Sequence, residues 1–68
     1  MNANDLIAAA TAAGLIAREV TYPRHAVQVS PRINDAAGRR SVRGYTAQQG
    51  GYTVRERGEV YGVLVVGP

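Results

Sequence analysis

The chain has no cysteine, lysine, tryptophan or phenylalanine, and only one histidine among its 68 residues. Without cysteine there can be no disulfide, no thiolate metal site and no thiol nucleophile. A single histidine is too few for a histidine-based structural zinc site. No metal and no cofactor is therefore expected. The length indicates one domain over residues 1–68. A domain of this size buries only about 60% of the surface its unfolded chain exposes, so its stability is marginal. Oligomerisation is the stabilising device left open. The lack of cysteine fits a reducing compartment, and a cytoplasmic location is the expectation.

Residues 6–17 are apolar, but they are too short to span a bilayer. The stretch before them carries Asp5 and no basic residue, unlike the start of a signal peptide. The expectation is a core helix and no membrane association.

All eight basic residues are arginine, against five acidic ones, giving a formal net charge of +3 and a sequence pI of about 10.0. Abundant Ala, Val, Gly and Arg suit a GC-rich genome. Arginine's planar fork also pairs with phosphate or carboxylate in bidentate fashion. A net charge of this size is by itself a weak sign of nucleic-acid binding.

The C-terminal stretch organises the rest. Residues 52–57 alternate, with Tyr52, Val54 and Glu56 facing one way and Thr53, Arg55 and Arg57 the other. Gly58 stands where the chain must reverse. Residues 60–66 follow as the most apolar run. Val60, Gly62, Leu64 and Val66 take one face and Tyr61, Val63 and Val65 the other. A strand apolar on both faces belongs in the middle of a covered sheet or at a subunit contact.

A helix is expected over about 3–14. Asn2 or Asn4 can cap it, and Asp5 suits the positive end of the helix dipole. Leu6, Ile7, Ala10, Ala13 and Gly14 fall on one narrow face. Gly14 is a natural left-handed stop, with Leu15 able to pack back on Ala10; the alternative end is Arg18. Extended segments are expected at about 18–22, 26–30, 41–46, 52–57 and 60–66. Residues 15–30 read as one bent strand or as two, broken at Tyr22-Pro23-Arg24-His25. Residues 31–40 read as a loop, and no internal repeat is evident. The resulting expectation is an α+β fold, one N-terminal helix packed on a three- or four-stranded antiparallel meander sheet.

Few groups suit catalysis. His25 alone has an unperturbed pKa near neutrality, and it reads as an exposed turn residue. The carboxylates are scattered, and no phosphate-cradling glycine pattern is present. The expected function is a non-enzymatic protein–protein interaction module, such as an accessory or inhibitory protein carried by a bacterial virus or mobile element. A homodimer surface is expected at Tyr61, Val63 and Val65. The alternative is a nucleic-acid-binding protein. Its surface would be Arg32, Arg39, Arg40, Arg43, Tyr45, Arg55 and Arg57, spread over the 31–43 loop and an open sheet face. The same arginine and tyrosine composition suits an unidentified protein partner.

Overall fold

A computed structural model describes residues 2–21 and 25–67. The elements are α1 (Ala3–Ala12), β1 (Ile16–Val20), β2 (Ala26–Ser30), α2 (Ala36–Gln48), β3 (Tyr52–Glu56) and β4 (Glu59–Val65). The fold is α+β, with the N-terminal helix leading into an antiparallel sheet.

α1 begins where Asn2 Oδ1 accepts a hydrogen bond from the Asp5 N–H at 2.9 Å, satisfying one of the free donors of the first turn. It ends at Gly14, whose φ is +83°. There Gly14 N–H donates to Thr11 O and Leu15 N–H to Ala10 O, the paired bonds of a Schellman stop. Leu15 turns inward beside Ala10 and Leu6. The 15–30 segment is two strands, paired from Ile16–Ser30 to Val20–Ala26. His25 lies exposed in the intervening turn. The rest of the expected break, Tyr22 to Arg24, lies outside the described residues.

Two details differ from the sequence reading. Residues 41–46, expected as a strand, lie inside α2, so the described residues form two helices. Asp35, assigned to a loop, caps α2 by accepting the Gly38 N–H at 2.7 Å. Val42 and Thr46 are β-branched, but spaced four apart they form the buried stripe of a helix. The sheet needs that stripe, since α1 covers only its β1–β2 half. Packing thereby overrides a weak local propensity. The sheet is also not a meander, because its order is β1-β2-β4-β3. The chain leaves β2, crosses on α2 to the far edge as β3, and returns through a hairpin. The most apolar strand, β4, thus lies inside the sheet, while β3 takes the edge. Arg57 and Gly58 turn that hairpin with φ of 53° and 79°, the positive pair of a type I′ turn.

The chain repeats one unit twice, a helix followed by a hairpin, although the sequence shows no repeat. Gly50 (φ +77°) ends α2 as Gly14 ends α1. Gly50 N–H donates to Ala47 O and Gly51 N–H to Thr46 O, matching the bonds at the end of α1. Leu6 and Ala10 of α1 occupy the places of Val42 and Thr46 of α2, all four buried. In the strands Val27 corresponds to Val60 and Val29 to Gly62. Val29 and Gly62 are themselves cross-strand partners. The two halves are therefore related by an approximate twofold through that pair.

Both helices lie on one face of the sheet. The core between them and the sheet is Leu6, Ala10, Leu15, Val27, Val29, Val42, Val60 and Leu64. α2 comes so close to β4 that a Cβ at position 62 would strike Thr46 Oγ1 and lie 2.9 Å from Thr46 Cβ. Only glycine fits there.

Candidate functional site

The other face of the sheet has no covering layer among the described residues. The strand register fixes its occupants. One row crosses all four strands as Arg18, Gln28, Val63 and Tyr52. On one side of it lie Val20, Ala26 and Val65; on the other, Ile16 beside Ser30 and Tyr61 beside Val54. Ile16, Tyr52 and Val65 are 53, 48 and 65% exposed. Among the described residues these are three of the four large apolar side chains left most open, the fourth being Ile33 in the loop before α2.

The stripe read from the sequence, Tyr61, Val63 and Val65, lies on this face. Its members are not equally available. Val63 is only 5% exposed, Tyr61 is half-buried and Val65 stands open. An open hollow of about 410 Å³ runs between Arg18 and Gln28 on one side and Tyr52, Val54 and Tyr61 on the other. Arg18 donates to Gln28 Oε1 at 3.2 Å, which holds its guanidinium along the sheet.

At the hairpin end the face becomes acidic. Glu56 and Glu59 are cross-strand partners there, and like charges directly opposite repel. The Tyr61 hydroxyl donates to Glu56 Oε2 at 2.6 Å. That bond, helped by partial desolvation and by the carboxylate charges of Glu56 and Glu59, raises the phenol's pKa above its ordinary value, against a smaller lowering by Arg57.

The arginines do not form the expected stripe across the open sheet. Arg43 and Tyr45 are on α2, where neighbouring positions two apart point in different directions. Arg43 is exposed, whereas Tyr45 packs against the core with its hydroxyl buried and unpartnered among the described residues. Tyr45 is thus no stacking platform. Arg55 pairs with the core residue Val60, so it leaves β3 on the helix side of the sheet. Arg57 occupies the hairpin turn beside Glu56 and Glu59. Arg39, Arg40 and Arg43 share α2, while Arg32 precedes the helix in its loop, beside Ala37, Gly38 and Ser41. Arg39 is half-buried, its Nη1 3.4 Å from both Asn34 O and Asn34 Oδ1.

Sequence reasoning missed Ile16, Arg18, Val20, Gln28, Tyr52 and Val54 as parts of the open face. The alternation of residues 52–56 sets Tyr52 and Val54 together. Joining them to Tyr61 and Val63 requires the pairing register, which no local pattern carries.

Among the described residues no group of three or more His, Asp or Glu side chains is placed to hold a metal ion, and no helix is long and apolar enough to cross a membrane. Set against protein-family models, curated proteins and solved structures, the chain matches none.

Proposed function

We propose that the protein is a non-enzymatic binding module that pairs with a second copy of itself through the open face of its sheet. One observation carries this reading. Ile16, Tyr52 and Val65 stand in water on a face that they share with Val20, Val54, Tyr61 and Val63, interrupted by the polar Arg18, Gln28 and Ser30. An apolar surface of this kind on a small domain marks a contact site.

The charges on the face favour a second copy as the occupant. Arg18 lies on the edge strand β1, and Glu56 and Glu59 lie at the hairpin end of β3 and β4. Two faces laid together about a twofold axis, with their strands crossed as in orthogonal sheet packing, set each Arg18 against the partner's hairpin carboxylates. That contact also relieves the Glu56–Glu59 repulsion within each chain. A standard interface buries about 800 Å² per partner, roughly a sixth of the chain's 4637 Å². The broad side of a body measuring 33 × 24 × 17 Å is large enough to supply it.

Sedimentation equilibrium over a concentration series tests the reading. The expected result is a dimer in the intact chain and a folded monomer for Val65→Asp, Val65 being chosen because it is open where Val63 is packed. A monomer at every concentration, or a dimer untouched by both Val65→Asp and Tyr52→Asp, would overturn it.

A further inference from the structure

The opposite side of the molecule carries a different surface, independent of the sheet face. From Arg32 to Arg55 the chain holds five arginines and one acidic residue, Asp35. The Asp35 carboxylate is engaged at the N-cap of α2. The outward side of α2 is Ala37, Arg40, Gly44 and Ala47, with Arg43 on its flank, and all are exposed. Nothing lies within 4 Å of where a Cβ at Gly44 would sit. Small residues between the arginines let a partner approach the helix axis closely. Arg40 and Arg43 make no side-chain hydrogen bond among the described residues, unlike Arg18 and Arg39.

The internal repeat shows that the fold does not require these charges. In α1 the positions equivalent to Arg39, Arg40 and Arg43 are Ala3, Asn4 and Ile7, and that helix packs on the same sheet without a basic residue. The arginines are concentrated on one of two equivalent helices.

The geometry points to α2 as a docking helix for duplex DNA, gripping phosphates without reading base sequence. Arg40 and Arg43 lie one turn apart on the helix, and Arg32 and Arg55 flank it. A helix with small outward side chains fits the major groove, about 12 Å wide. Arginines on its flanks reach the phosphates on either side. A single strand offers no groove of this shape and is the poorer ligand. Four phosphate contacts make affinity fall on the order of 100-fold between 50 and 200 mM salt.

Fluorescence anisotropy of the full chain with a labelled DNA duplex of mixed sequence, titrated over that salt range, tests this. The expected result is binding with that salt dependence. In Arg40→Gln/Arg43→Gln, binding weakens and the slope of log affinity against log salt falls by about 2. Arg57→Gln, which removes an arginine from the hairpin turn, leaves both unchanged. Gly44→Glu gives a second handle. It adds a better helix former and places a negative charge in the middle of the contact, so folding is kept and binding lost. No binding at 50 mM salt, equal losses for Arg57→Gln and the α2 pair, unchanged binding by Gly44→Glu, or tighter binding to single-stranded RNA than to the duplex would each overturn the proposal.

Discussion

Replacing Gly62 by alanine puts a methyl group where Thr46 already lies. Rotating the Thr46 side chain relieves the collision with Oγ1 but not the 2.9 Å approach to Thr46 Cβ, which moves only with the helix. α2 must therefore lift from β4, loosening Val42 and Thr46, both fully buried. Overpacking of this kind costs typically 1–3 kcal/mol. The upper end applies here, because backbone rather than a flexible tip has to yield, so the expected loss is about 3 kcal/mol. For a domain of 60–100 residues each kcal/mol moves Tm by about 4–8 °C, giving a fall of roughly 12–24 °C. The assay is thermal and urea unfolding followed by circular dichroism. Chain concentration is held fixed, because self-association adds concentration-dependent stability. The same change in a Thr46→Gly background should cost about 1 kcal/mol or less, since that background removes Thr46 Cβ together with Oγ1 and leaves the new methyl nothing to strike. A Tm within about 3 °C of the parent protein, or the same penalty in both backgrounds, would refute the close-packing argument.

Two further outcomes are expected. Thr46→Val should raise stability by about 1 kcal/mol in the same unfolding assay, because the Thr46 hydroxyl is buried without a partner among the described residues, and an unsatisfied buried polar group costs about 1–3 kcal/mol. For Tyr61, absorbance titration at alkaline pH should show one tyrosine ionising above the ordinary range, and Glu56→Gln should bring it back down. Since the folded state holds this proton more tightly than the unfolded chain, the stabilisation is complete below the ordinary tyrosine pKa. It is lost as pH rises through the raised one.

Local signals were legible wherever the chain's chemistry and its final structure agree. Asn2, Asp5 and Gly14 bound α1 as their capping chemistry implies, and Leu15 folds back on Ala10. The alternation of residues 60–66 correctly divides the core face, with Val60, Gly62 and Leu64, from the open face, with Tyr61, Val63 and Val65. α2 was not legible. Gly38 and Gly44 interrupt it, and Val42 and Thr46 favour strands when read alone. Its clearest marks were Asp35 three residues before Gly38 and Gly50 at its end. The sheet order was hidden for another reason. Which strand becomes β2's second neighbour depends on where α2 sets the chain down. Reading 41–46 as a strand had put Arg43 on the sheet, and with Arg55 set on the open face rather than the helix side the two made an imagined stripe. The repeat was invisible because its halves share size and position, Leu6 with Val42 and Ala10 with Thr46, but not identity.

The pairing of Val29 with Gly62 has a consequence for how such a chain could arise. Split between β2 and α2, each half is a helix with a hairpin whose inner strand ends in an open row of amide and carbonyl groups. Two copies of one such half could join along that row in the antiparallel register that β2 and β4 use. The seam of the present fold thus has the form of a contact between two separate molecules. Because the seam is internal, the two helices need not be identical, and here one carries a single acidic side chain, Asp5, and the other three arginines.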